Sequence, residues 1–468
     1  MSRNRGIKMT RQIGLLLLAV GMLWGTCVWA QNDTGAPDNA APTQPGPKPQ
    51  FSYPDATPSL DFVNGAVENS SITLGIGGGF SYISNAYRYT GSPTNHNLDR
   101  WLFIVTPSIR IQQFRPKLSW NVGYSGGLQT YDYLGSGNTS TNSNYFSQTA
   151  NAGFLWQMAP HWQMQGSEQF VHSANPFDSY LTQAGTPTQN NPNPVSYYPL
   201  TTFTLNQAFL TISNQLTKLD TLTITGTENL RQTDTYNLLS LPFYNLISYG
   251  GSFNYSHRFS PRLSLGGGYN YNSEDFGHGQ QRSGIQTMQF TADYSIRPNV
   301  SITGWIGPEY TSTKSVVGIP VLGQIFYITQ HNSAWSTALG MNFAWQGLRN
   351  SFRAGYTRQV SDGGGIIATA QVNSVNASYR RMMTAKLDLL AGLQYFHDVS
   401  TTVSSRSYDQ ITPNAGLTYK LAKSLSATFR YSYIHQAQSN TFLTGSATYN
   451  DNNVGVLLNY TWSHPLGR

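Results

Sequence analysis

A rhythm of roughly 40 residues runs from Leu74 to Trp462, in which stretches of roughly ten residues alternate apolar and polar side chains. In Leu425-Ser-Ala-Thr-Phe-Arg-Tyr-Ser-Tyr433, Leu425, Ala427, Phe429, Tyr431 and Tyr433 share one face, and Ser426, Thr428, Arg430 and Ser432 the other. That period of two is a strand with one apolar and one wet face. Arg262 to Tyr271 and Met288 to Arg297 read the same way, the second setting Met288, Phe290, Ala292, Tyr294 and Ile296 against Gln289, Thr291, Asp293, Ser295 and Arg297. Near the end, Val454, Val456, Leu458, Tyr460 and Trp462 form an unbroken apolar row. Two segments, about 200–216 and 368–380, break phase, through a bulge or a slip in the assigned register.

Punctuation between the strands comes in two lengths. Eight short turns centre near Arg115-Pro116-Lys117, Pro160-His161, Thr217-Lys218, Ser260-Pro261-Arg262, Arg297-Pro298-Asn299, Gln346-Gly347, Arg380 to Met383 and Ala422-Lys423. Longer polar segments lie between them: 91–98, 135–144, 173–198, 232–243, 274–283, 312–324, 361–366, 398–406 and 436–447. Eight short turns alternating with nine longer loops make nine hairpins. The expected fold is all-β, an antiparallel up-and-down transmembrane β-barrel of about 18 strands, with 16 the next choice. Short turns would lie on the periplasmic side together with both chain ends.

Composition agrees. Only 10% of the 468 residues are charged, against roughly 25% in an ordinary soluble domain. After residue 30 no run of about 20 apolar residues exists for a spanning helix. The 10 Trp, 29 Tyr and 22 Phe argue against disorder.

Residues 1–30 read as a secretory signal, with Arg3, Arg5, Lys8 and Arg11 before the apolar Ile13 to Trp24, and cleavage expected after Ala30. The single cysteine, Cys27, would leave with it, so no thiolate chemistry is expected in the mature chain. The signal also removes four of the 28 basic residues and none of the 21 acidic ones, so the mature excess is small. Nucleic-acid binding is not expected. Residues 31–69 read as a Pro/Asn-rich flexible periplasmic tail, 70–463 as the barrel, and 464–468 as a short C-terminal tail.

By this pattern, over residues of about 70–463, the chain resembles outer-membrane β-barrel channel proteins of Gram-negative bacteria, the porin-like class. The run Val454 to Trp462 looks like the C-terminal signal read by the barrel-assembly machinery, although Ser463 to Arg468 follow where that signal normally ends. The resemblance implies passive or weakly selective diffusion of small hydrophilic solutes, with outer-membrane lipid and lipopolysaccharide as surroundings and a possible homo-oligomer. Other classes weighed are a polysaccharide-export barrel, a structural or adhesive barrel filled by inward aromatics such as Trp305 and Tyr131, and a surface hydrolase.

Chemistry-bearing motifs are sparse. Gly75 to Gly79 and Gly266 to Gly268 lack the GK[ST] of a phosphate loop and sit inside strand patterns. His172-Ser173, His397-Asp398 and His278 near Glu274-Asp275 are the suggestive neighbours for acid–base work or a divalent cation, without the spacing of a dedicated site. No catalytic residue, metal or cofactor is expected. Function is expected in the lumen, where the inward phase carries Arg110, Arg258, Asp293, Arg297, Glu309, Arg353, Lys386, Asp388 and Arg430. Two readings stay open: a basic excess with weak anion preference, or acid–base pairs that stiffen the wall and cancel. The longest loop, 173–198, is a candidate constriction through Asn175, Phe177, Asp178 and Tyr180.

Overall fold

The computed structural model describes residues 70–84, 99–134, 143–173, 202–234, 245–277, 279–321, 324–362, 369–401, 406–440 and 447–466. They form β1 (Ser71–Ser84), β2 (Asp99–Phe114), β3 (Leu118–Leu134), β4 (Ser143–Ala159), β5 (Trp162–Ser173) and β6 (Thr202–Gln215). Next come β7 (Asp220–Asp234), β8 (Leu246–Arg258), β9 (Leu263–Phe276), β10 (Gln281–Arg297), β11 (Val300–Val321) and β12 (Gln324–Gln346). The last are β13 (Asn350–Ser361), β14 (Ala370–Met382), β15 (Leu387–Ser400), β16 (Arg406–Lys420), β17 (Leu425–Asn440) and β18 (Ala447–Pro465). Each strand pairs antiparallel with its neighbour in sequence, and β1 pairs with both β2 and β18, which closes an 18-stranded barrel.

Seven of the eight short turns fall where the sequence puts them and the one expected at Arg380 to Met383 moves to 383–386; all lie at the end that holds the start of β1 and the end of β18. Three of them are tied by a hydroxyl. Thr217 accepts from the Leu219 and Asp220 amides, Ser260 from Arg262 and Leu263, and Thr384 from Lys386 and Leu387. At the other end two expected loops are largely strand. β11 and β12 run on through 312–324 except for residues 322–323, and β9 and β10 leave only 277–280 between them. Closure also takes up Ser463 to Pro465, which pair with β1 as an extension of β18 because Ser71 to Thr73 offer them a partner.

Alternation decides which side chains meet which medium. On β10, Met288 is 63% and Phe290 55% exposed on the outer face, while Thr287 and Gln289 inside are 6% and 7%. The closing strand presents Val454, Leu458, Tyr460 and Trp462 outward, as expected. Aromatic groups gather at both outward rims. Tyr310 packs on Trp335 (5.0 Å between rings) and Tyr82 on Trp101 (5.2 Å) toward the long-loop end, and Phe343 on Phe352 (6.0 Å) at the short-turn end. An apolar outer belt between two aromatic girdles is what a hydrocarbon layer covers.

Pro107, Pro308 and Pro413 sit deep inside their strands, and each marks a gap in one ladder. Pro107 keeps its place opposite Ile76 while the β2–β3 pairing skips from Val105 to Ser108. Pro308 and Pro413 do the same between β10 and β11 and between β16 and β17. Proline has no N–H to give the ladder, so pairing lapses on that side only. At the β10–β11 gap the strands close up, and a Cβ at Gly307 would collide with the Met288 carbonyl.

The two segments that break phase have no bulge; their ladders are continuous. Their apolar residues face inward instead. Phe203 and Leu205 bury against Val171, and Ala370 and Val372 against Phe396 and Tyr408. Ile83 with Leu102, and Leu246 with Phe276, make two more such clusters, all toward the long-loop ends of the strands. The lumen thus has a packed half, and an open half toward the short turns where Asp293, Arg297 and Arg353 are exposed.

Candidate functional site

The site is made where the wall comes apart. β12 and β13 pair from Gln346↔Ser351 only as far as Leu339↔Arg358, although β12 continues to Gln324. Beyond Arg358 the residues of β13 lose their alternation. Gln359, Val360, Ser361 and Asp362 are 5–8% exposed irrespective of parity, so both faces of the segment are covered. It has parted from β12 and turned in over the lumen, while its ladder with β14 runs on to Ser361↔Ala370. β12 shows the complement, being exposed on both faces from Tyr327 to Trp335.

Polar contacts hold the segment inside. Glu309 on β11 accepts the Val360 amide at 2.9 Å, reaching past β12, and also accepts from Ser336 Oγ (2.8 Å) and Thr287 Oγ1 (3.4 Å). Asp362 pairs with Arg231 at 2.8 Å, although Arg231 stands on β7, six strands round the wall. Thr369, on the returning arm, is hydrogen-bonded to Gln281 Nε2 (2.8 Å) and Ser283 Oγ (2.7 Å) on β10. Its carbonyl accepts from Thr401 Oγ1 at 3.1 Å, and the Thr401 carbonyl accepts from Asn332 of β12 at 3.2 Å. A buried carboxylate such as Glu309 is tolerable only with donors of this kind, and here the donors include the backbone it pulls inward.

Between this infolded segment and the wall of β7 to β11 lies a cavity of about 70 Å³. Glu274, Glu309 and Asp362 line it with Asn229, Asn272, Thr227, Thr287 and Gln289. Glu274 is 3% exposed; its Oε1 accepts from Asn272 Nδ2 at 2.9 Å.

No protein-family model matches the chain, and no curated protein matches it. It is similar in fold to OccAB4 of Acinetobacter baumannii. That likeness has a TM-score of 0.40 at 12% identity, covering 85% of this chain and 99% of the other. OccK7 (OpdD) of Pseudomonas aeruginosa gives 0.41 at 10% identity, over 84% and 99%. OpdK of the same species, solved with vanillate, gives 0.40 at 9%, over 86% and 100%.

The nine inward charges of the sequence analysis do not form one ring. Arg110, Asp293, Arg353 and Arg430 stand on the inward parity of their strands. Arg258 and Arg297 end β8 and β10, with Arg258 bonded to the carbonyls of Ser260 and Pro261 in its own turn. Lys386 lies in the turn between β14 and β15, outside the wall, because β14 continues through Met382 and pushes the turn toward the C-terminus. Asp388 pairs with Arg380 at 3.1 Å, which favours the reading of mutually cancelling charges there. Glu309 alone of the nine joins the infolded segment. Asn175, Phe177, Asp178 and Tyr180 of the expected constriction, and the Tyr131 side chain, lie outside the described residues. Among the described residues the lumen is narrowed by 359–362.

Alternation also takes apart the neighbouring pairs. His397 points outward and meets Asp409 (2.7 Å), whereas Asp398 points inward and is 1% exposed. His172 meets Thr204 (2.9 Å) on the outer face, while Ser173 is buried inside. Glu274 faces the cavity and Asp275 faces outward to Arg282 (3.1 Å). Successive strand residues point to opposite faces, so no i, i+1 pair there can act as a dyad. His278 lies outside the described residues, and among these no three ligating side chains are grouped for a metal ion.

Arg231 and Asp362 were missed by the sequence reading, and Glu274 was read only as a loop neighbour of His278. Arg231 carried a signal, since it shares the inward parity of Thr225, Thr227 and Asn229. Nothing local distinguishes Asp362 from any acid after a strand.

Proposed function

We propose that the protein is an outer-membrane channel through which small hydrophilic solutes diffuse. The observation that carries this is the closed barrel with an apolar outer belt and an inner face whose short-turn half is polar and exposed. Eighteen strands enclose more space than inward side chains alone fill. The infolded segment reduces that space to a narrow passage, so conduction is weakly selective rather than free. The short-turn end faces the periplasm after export and signal cleavage, and Val454 to Trp462 serve as the segment the assembly machinery reads. Lipopolysaccharide surrounds the long-loop rim.

The inward apolar clusters favour a second reading, a filled barrel whose surface loops matter more than its lumen. Single-channel recording of the refolded full chain in a planar bilayer separates the two. Stable unitary steps support the channel; a silent bilayer containing correctly folded protein supports the filled barrel.

A further inference from the structure

We infer that the cavity beside the infolded segment is a binding subsite for an organic cation, an alkylammonium or alkylguanidinium group. Its described lining carries three carboxylates, Glu274, Glu309 and Asp362, and no basic side chain. Two of the three are spoken for. Asp362 is held by Arg231, which is not among the lining residues and keeps a buried Nη2 without a partner, and Glu309 is engaged by Ser336, Thr287 and the Val360 amide.

Glu274 is different. It is 97% removed from solvent, yet its Oε2 has no hydrogen-bond partner, and neither does the buried Oδ1 of Asn229 in the same lining. Two orphaned acceptors facing one cavity call for a molecule that brings donors and no acceptors. Ammonium and guanidinium groups do that and carry the charge the lining lacks. Buried acceptors are almost always satisfied, so orphans of this kind point to a missing partner.

Size agrees. At about 70 Å³ the cavity holds a few waters or one such head group. The alkyl remainder would extend past Thr287 and Gln289 toward the open half of the lumen. Among the described residues no three ligating side chains are grouped for a metal ion. Position gives the site its meaning. The infolded segment forms one wall, so the subsite favours cations beside the passage and opposes the anion preference that one reading of the basic residues gives. The transport consequence rests on the channel reading; the binding does not.

Agmatine is the probe, with butyramide as neutral control and glutarate as anion. Isothermal titration onto the refolded barrel in detergent reads binding whether or not the protein conducts. The expected result is saturable agmatine binding, absent with both controls and weakened about tenfold to a hundredfold in Glu274→Gln, the loss for one charge-assisted hydrogen bond. In the bilayer the same agmatine should interrupt the current, with shorter interruptions in Glu274→Gln. Asn229→Asp, which adds a carboxylate to the same lining, should tighten binding and keeps the test open if Glu274→Gln fails to fold. Equal binding of agmatine by parent and both variants, or none at all, overturns the subsite. Silence in the bilayer with titratable agmatine binding overturns the channel and leaves the subsite standing.

Discussion

Replacing Arg231 with methionine should unseat the segment that narrows the lumen. The Arg231–Asp362 pair is 2.8 Å long, with side chains 4% and 7% exposed, so neither charge is screened by water. Removing one partner of such a pair costs about 3–5 kcal/mol, chiefly because the other charge stays buried and uncompensated. The segment can escape that cost by moving Asp362 to solvent, so the loss falls on its docking. Opposing it are the Glu309–Val360 bond, at about 1.5–3 kcal/mol for a charged acceptor, and the Thr369 bonds to Gln281 and Ser283, at about 0.5–1.5 each. The two sums are similar. Arg231→Met should therefore bring docked and undocked forms near balance rather than free the segment outright. Single-channel recording should show a second, larger conductance level and rapid flicker between the two, with a folded barrel verified by gel mobility and circular dichroism. Asp362→Asn should act in the same direction. Arg231→Met with Asp362→Leu should return toward the parent, because replacing both partners leaves no buried charge. The reasoning fails if either single variant keeps the parent's conductance and noise, or if the double variant behaves as the sum of the two.

Removing the carboxylate that draws β13 inward, as Glu309→Ala, should raise unitary conductance too, since the Val360 amide loses its acceptor; unchanged current would deny Glu309 that role. Valine at position 340 should destabilise the barrel by about 1–3 kcal/mol in denaturant titrations, because a Cβ there collides with the Trp305 indole that lies against the Gly340 backbone. With Cys27 as the only native cysteine, a cysteine at Asp293 should react quickly with small water-soluble thiol reagents in lipid vesicles, and one at Met288 slowly. Equal rates would contradict the assignment of inner and outer faces.

The sequence by itself determined what depends on neighbouring residues. Alternation of Met288 to Arg297 or of Leu425 to Tyr433 sets each strand's two faces, because successive side chains must point opposite ways. Turn residues such as Ser260-Pro261 and Thr217 end strands through their own hydroxyls and restricted backbones, so eighteen strands and eight turns could be counted. The phase breaks around Phe203 and Val372 were visible, but a bulge or a register slip was offered for them, since the pattern tells which residues share a face and not whether that face meets lipid or a buried cluster. The tertiary structure alone decided where β13 leaves β12. Nothing in the sequence marks Gln359 and Val360, just before the expected loop 361–366, as leaving β12; what draws them inward is Glu309, 51 positions before Val360, and Arg231, 131 positions before Asp362. The same holds for the cavity at Glu274. Burying a carboxylate depends on which distant groups arrive beside it, and that is known only once the barrel has closed.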